Sequence, residues 1–311
     1  MLRQLGYAVK CALGRDIADG RFTIFPDDVF LVSYPRSGNT WIRFLLANLI
    51  YPNQDVGFTN IGRLIADPAR ASKRFLNSLP RPRILKSHHP FDRRYGKVIY
   101  IVRDPRDVVV SEYYFALKKS RIDPSLSLDA FVKERFVAGK SSSYGSWWES
   151  AASWIGARRW DPTFLLVRYE DMLHQTVHEL SRIAKFLALD TDAQRLVTAI
   201  NRSSFDRMRQ IEQQQTDLWE GTRDTRKDIP FVRAGKVGAW KNTLSQVSVE
   251  AIEAAWSPLL ASLGYDVPED VAAIAHRAPV LDEAENRLGH GYWRPEALIG
   301  GDFGWRGAVQ T

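Results

Sequence analysis

The chain has 311 residues, 45% of them hydrophobic and 25% charged, with a single cysteine, Cys11, and a formal net charge of +7. This composition supports a full hydrophobic core and excludes a disordered chain. One thiol excludes an intrachain disulfide and a cysteine-rich zinc site. The positive charge suits an anionic ligand, but nucleic acid or a membrane surface would account for it equally well, so charge alone selects no function.

Residues 2–14 carry Arg3 and Lys10 but no continuous apolar stretch of the secretory kind. No apolar run approaches membrane-spanning length, and the cytoplasm is the expected location. Residues 1–27 read as an N-terminal extension and 28–265 as one domain. Within it, four short apolar runs, 29–34, 83–86, 98–102 and 164–167, have the character of buried parallel strands. Helical patterns cover 40–50, 105–118, 127–137, 144–160, 172–189 and 247–263, with Gly264 as a C-terminal stop. The alternation predicts an α/β fold, a central parallel sheet flanked by helices with a helical C-terminal part. In such folds ligands gather at the carboxyl ends of the strands. The polar clusters at 33–40, 87–89, 103–107 and 168–171 should therefore converge on one edge. Residues 216–233, dense in charge and poor in apolar side chains, read as a mobile loop. Residues 266–311, rich in glycine beyond Pro279, read as an irregular tail.

Two strand–turn–helix segments carry the chemistry. In Ser33-Tyr34-Pro35-Arg36-Ser37-Gly38-Asn39-Thr40-Trp41 a strand passes through a glycine loop into a helix, whose first N–H groups lack internal partners and attract anions. Ser37 and Thr40 add hydroxyls and Arg36 a cation, but the Gly-Lys-Ser/Thr ending of a Walker A loop is absent. In the second segment Asp104 suits a helix cap, Pro105 a first helical position, and Arg103 with Ser111 could hold a second phosphate. Taken singly, an ordinary capped βα turn and an ion pair of Arg103 with Asp104 or Asp107 explain these segments equally well.

Taken together, they resemble the cytosolic-type sulfotransferases, which use 3′-phosphoadenosine 5′-phosphosulfate (PAPS) and have a P-loop-like fold. Tyr34–Trp41 resembles their 5′-phosphosulfate loop, and Lys86-Ser87-His88 their Lys-Thr-His element. Tyr144-Gly145-Ser146-Trp147, Tyr169-Glu170-Asp171-Met172, Ser203-Ser204-Phe205-Asp206 and Arg233-Ala234-Gly235 follow in family order, so the resemblance spans about residues 28–264. It implies that Arg36, Ser37, Gly38, Asn39, Thr40 and Trp41 hold the 5′-phosphosulfate. Trp41 and Phe205 would contact the adenine, Tyr169 and Ser203 its edge, and Arg103, Ser111, Arg233 and Gly235 the 3′-phosphate. His88 would be the catalytic base for a hydroxyl or amine acceptor, with Lys86 and Arg36 as catalytic cations. The product would be adenosine 3′,5′-bisphosphate (PAP), and no step calls for a metal.

Some positions complicate the carry-over. His89 competes with His88, though neighbouring strand residues point oppositely. His174 and His178 have metal-like spacing on a predicted helix but no third ligand, and read as a solvated face. Arg36 stands where the family usually has Lys, a feature of bacterial-type members, and Ala234 removes one 3′-phosphate cation. The family's dimer motif would fall on residues 241–250, where its central Thr-Val is Ser245-Gln246, leaving a homodimer open. A PAPS-binding module without catalysis is the alternative reading, and a nucleic-acid binder rests on charge alone. The partner implied is a small-molecule or carbohydrate acceptor, which would sit among loops near 55–74, 88–94, 138–148 and 210–231.

Overall fold

A computed structural model describes residues 22–267; Cys11 and the glycine-rich stretch beyond Pro279 lie outside them. Strands β1 (Val29–Ser33), β2 (Ile84–Ser87), β3 (Lys97–Val102) and β4 (Phe164–Arg168) form one parallel sheet in the order β2-β1-β3-β4. Leu31 lies beside Lys86 on one side and Ile99 on the other, and Ile99 lies beside Leu165. All four carboxyl ends, with the polar clusters that follow them, thus share one edge. The expected strands are present, each displaced by at most a residue at its ends.

The helices are α1 (Asn39–Ile50), α2 (Ile61–Leu64), α3 (Lys73–Ser78), α4 (Pro105–Lys118), α5 (Leu128–Phe131), α6 (Trp147–Arg158), α7 (Tyr169–His174), α8 (Thr176–Phe186), α9 (Ala193–Arg202), α10 (Phe205–Gln215) and α11 (Gln246–Ser262). α5 runs on into a π-helical stretch, Val132–Val137, and a 3₁₀ turn covers Ala239–Asn242. One face of the sheet, Leu31, Ile99, Ile101 and Val167, packs on α1 through Ile42, Leu45 and Leu46 and joins Leu180, Ile183 and Leu196 of α8 and α9. Each such side chain, fully buried, contributes about 1.5–3 kcal/mol relative to exposure. On the other face Phe30 stacks on Tyr95 at 3.6 Å, and Tyr100 lies 6.3 Å from Trp154. α4 begins where sequence placed it because Asp104 accepts the Arg106 N–H and Pro105 occupies the first turn.

Three expectations change. The helix read over 172–189 is two helices meeting at Gln175, so His174 and His178 lie on different ones. The helix read from 144 starts at Trp147, because Gly145 turns the chain at φ 79 and Ser146 with Glu149 forms a capping box. Residues 216–233 are tied down. Lys118 Nζ donates to the carbonyls of Arg226 and Ile229 at 2.9 and 2.7 Å, and Glu212 accepts from the Phe231 and Val232 N–H groups at 2.6 and 2.8 Å. The chain divides into two compact units, Met1–Ala255 and Trp256–Thr311. The described part of the second is the end of α11, closed by Gly264 at φ 73 and a bond from the Tyr265 N–H to the Leu260 carbonyl. Among the described residues no helix is long and apolar enough to cross a membrane.

Candidate active site

A cavity of about 1180 Å³ opens at the carboxyl edge of the sheet. The β1–α1 loop lines it with Pro35, Arg36, Gly38, Asn39, Thr40 and Trp41. The loop reverses through two left-handed residues, Arg36 at φ 67 and Gly38 at φ 96. A Cβ on residue 38 would sit 2.4 Å from the Tyr169 ring, so only glycine lets this loop and ring meet. Asn39 turns its amide to β1, donating to the Leu31 carbonyl at 3.2 Å and Ser33 Oγ at 3.3 Å, and so braces the loop. Trp41 Nε1 donates to the Ser203 carbonyl at 3.0 Å, and its ring meets Tyr169 edge-on at 5.7 Å. Ser203 is fully buried, its hydroxyl accepting from Asn48. Phe205 is partly exposed beside the cavity and covers Gly235, which sits at φ 59.

Further along the edge, Arg103 donates to the carbonyls of Lys236 at 3.0 Å and Arg36 at 3.4 Å, and its guanidinium lies 4.3 Å over Tyr169. Its carboxylate neighbour is Asp107, at 3.8 Å. Asp104 instead pairs with Arg106 at 2.8 Å. Asp107 also accepts the N–H groups of Gly238 at 2.7 Å and Trp240 at 3.0 Å, fastening the 233–240 segment to α4. The Arg233 guanidinium lies 4.8 Å from the Tyr114 ring, and burial pulls its pKa down.

At the β2 end, Lys86 Nζ pairs with Asp67 at 2.6 Å. Burial lowers the lysine's pKa against the pull of Asp67. Burial raises the Asp67 carboxyl, but Lys86 and Arg43 outweigh it and hold the group below its usual range. His88 Nδ1 meets the Ser33 carbonyl at 2.7 Å. A carbonyl only accepts, so the proton is on Nδ1 and the Nε2 lone pair is free to act as a base. Burial and the Lys86 charge hold this imidazole down at about 3, neutral throughout the physiological range. His89 lies off this cavity, its ring 5.2 Å from Tyr144 and its carbonyl accepting from Trp154.

Arg36 and Ser111, expected at opposite ends of one nucleotide, touch each other: Arg36 Nε donates to Ser111 Oγ at 3.1 Å. Its guanidinium stacks between Phe115 at 4.6 Å and Phe231 at 4.7 Å and donates to the Phe231 carbonyl. Burial pulls its pKa to about 10, still a cation at neutral pH. Phe115, Phe231, Phe58 and Trp219 continue from it as an aromatic wall of the cavity.

Ser37 Oγ, Arg103 Nε and Arg233 Nε are buried polar atoms with no partner. Orphaned donors cost about 1–3 kcal/mol each unless a ligand satisfies them. Donors of this kind suit an anionic ligand.

The sequence matches a family profile described as the sulfotransferase domain over residues 26–264. The chain belongs to the sulfotransferase family. Bovine sulfotransferase 1E1 is 32% identical over 237 residues, covering 71% of this chain and 79% of that protein. Mouse sulfotransferase 1 family member D1 is 32% identical over 248 residues, covering 75% and 83%. Among solved structures, mouse sulfotransferase SULT7A1 complexed with PAP superposes with a TM-score of 0.62 at 24% identity, covering 84% of this chain and 92% of that one. Retinol dehydratase in complex with androsterone and PAP gives 0.63 at 20% identity, covering 81% and 85%. The protein is accordingly a sulfotransferase.

In this sulfotransferase, sequence reading identified the loop, the His88 element and the two distant arginines, and these line one cavity. It missed Asp67, Asp107 as a clasp, and Glu112 beside Arg36. Asp67 had no motif to announce it: it reaches Lys86 because Ala66 bridges to Leu85 of β2, bringing a distant loop alongside. Tyr144 and Trp219 also line the cavity. Trp147 is buried, donating to the Arg103 carbonyl.

Proposed function

We propose that this enzyme transfers the sulfuryl group of PAPS to a hydroxyl or amine of a small-molecule acceptor, with His88 as general base. The observation that carries this reading is the 2.7 Å bond from His88 Nδ1 to the Ser33 carbonyl, which leaves Nε2 unprotonated in a cavity shared with Lys86 and Arg36. Bound PAPS supplies the sulfuryl group, its bridging S–O bond breaking with the electron pair retained by the departing PAP. His88 Nε2 takes the acceptor proton as the acceptor forms its new bond to sulfur. Lys86 contributes charge near the sulfuryl oxygens and Arg36 near the leaving phosphate, where negative charge builds up. Arg103 and Arg233, each with an unpartnered Nε, hold the 3′-phosphate, and the backbone N–H of Gly235 adds to them. Trp41 and Phe205 offer aromatic faces to the adenine. The aromatic wall supports an apolar acceptor, in keeping with the androsterone and retinol of the retinol dehydratase complexes.

The test is PAP release by purified protein given PAPS and a panel of phenols and alicyclic alcohols. His88→Ala should lower kcat about 10²–10⁴-fold, with PAP affinity by calorimetry within a few-fold of wild type. Full turnover by His88→Ala would refute the base assignment.

A further inference from the structure

Glu112 follows Ser111 on α4 and precedes Phe115 by one turn. It is 3% exposed, yet it borders the cavity that holds Lys86 and His88. Its Oε2 is buried with no hydrogen-bond partner, and among the described residues no ion pair to it is seen. Burial pushes the carboxyl up to about 7, against the pull of Arg36 from the β1–α1 loop and Arg121 beyond α4. Tyr34, on the same loop, also feels its charge.

A buried carboxylate oxygen without a partner destabilises a fold, and an apolar side chain of similar size would serve the core better. Such a group is retained at odds with local stability where a ligand completes it. The nucleotide is a poor candidate, since its phosphates repel a carboxylate. The acceptor is the other ligand of this cavity. Arg36 and Arg121 disfavour a cationic acceptor group at this spot, whereas a neutral hydroxyl can donate to the carboxylate in a charge-assisted bond. Phe115, one turn along the same helix face, and Phe231, edge-on to it at 6.1 Å, put aromatic side chains into the lining of the same cavity.

We propose that Glu112 is a specificity-determining residue that accepts a hydrogen bond from a second hydroxyl of the acceptor, so that the enzyme favours aromatic diols over phenols with one hydroxyl. The proposal rests on the sulfuryl-transfer reading above. A site built to bond a substrate hydroxyl discriminates strongly against the analogue lacking it, because its own polar group is then left unpaired.

The experiment compares kcat/KM for phenol, catechol and resorcinol with PAPS at pH 8, in wild type, Glu112→Ala and Glu112→Gln. The diol-to-phenol ratio of wild type, divided by that of the variant, cancels the intrinsic reactivity of each acceptor. This quotient should be about tenfold or more for Glu112→Ala. It should be smaller for Glu112→Gln, whose amide oxygen still accepts but carries no charge. Melting temperature should hold or rise in both variants. A quotient near one, or a marked drop in melting temperature with parallel loss on all three acceptors, would overturn the proposal in favour of a structural role. PAP titration separates the two levels of the reading. Wild type that binds PAP and sulfates phenols without discrimination removes only the role of Glu112. Wild type that binds PAP, sulfates none of the three acceptors and fails to bind catechol when PAP-loaded also overturns it. Wild type that neither binds PAP nor turns over removes sulfuryl transfer and this proposal together.

Discussion

Asp67→Asn is the sharpest test of how the transfer end is built. Asp67 and Lys86 meet at 2.6 Å with side chains only 9% and 15% exposed, so their pairing is largely removed from water. Deleting one partner of such a pair leaves the other charge buried and uncompensated, at a cost of about 3–5 kcal/mol. At roughly 2–4 °C per kcal/mol for a chain of this size, the melting temperature should fall by about 6–20 °C. Burial already lowers the pKa of Lys86, and without the pull of Asp67 it falls further and the ammonium loses the carboxylate that holds it. Asp67→Asn should therefore lose turnover even under conditions where it remains folded. The double variant Asp67→Asn/Lys86→Met removes both charges and should recover most of the stability, but not the activity. Calorimetric melting of the three variants, with kcat measured below the lowest transition, reads both effects. A loss under about 1 kcal/mol in Asp67→Asn, or a double variant no more stable than the single one, would refute the reasoning.

Arg233→Ala should weaken PAP binding by about 10–100-fold, the worth of a charged hydrogen bond, while leaving adenosine 5′-phosphate within about twofold. Equal weakening of both ligands in calorimetry would remove the 3′-phosphate assignment. Arg36→Lys should keep kcat within about tenfold if the cation acts through charge, and Arg36→Met should lose about 10²–10³-fold. A collapse of Arg36→Lys to the level of Arg36→Met would show that the guanidinium fork itself is required. Because the folded-state pKa of His88 is depressed to about 3, kcat/KM should show no His88 inflection near pH 6.5. The unfolded chain binds this proton below about pH 6.5 and the folded chain does not until about 3, so stability should decline as pH falls through that window. His88→Gln should flatten the decline in denaturant titrations at pH 4–7, and an unchanged slope would contradict the buried neutral state.

The sheet was legible because its strands are short Val, Ile and Leu runs followed by polar clusters, and α4 because Asp104-Pro105 is a local signal needing no tertiary context. The break at Gln175 was not, since no glycine or proline marks it and apolar spacing continues across it. Residues 216–233 looked mobile for a related reason. Their charges are seen in sequence, but the lysine that anchors their carbonyls, Lys118, belongs to α4 about a hundred residues earlier. The same limit divides the site. Arg36, Lys86, His88, Arg103 and Arg233 belong to motifs, whereas Asp67, Asp107 and Glu112 are carboxylates whose meaning comes only from what folding brings near them. That Arg36 bonds Ser111 was likewise invisible, because the two sit on separate strand–turn–helix segments.

Asp107 has a consequence for how the end of the cavity lined by Arg103 and Arg233 can vary. One oxygen of its carboxylate holds the Gly238 N–H and the other the Trp240 N–H, so a single side chain sets the gap between α4 and the segment carrying Arg233. Arg103, four residues before Asp107, and Arg233, five before Gly238, are the jaws of a caliper whose pin lies off the cavity lining. Side chains between jaw and pin, such as Ala234, can then drift in identity while the opening keeps its width. A change at the pin would spoil the fit of both jaws at once.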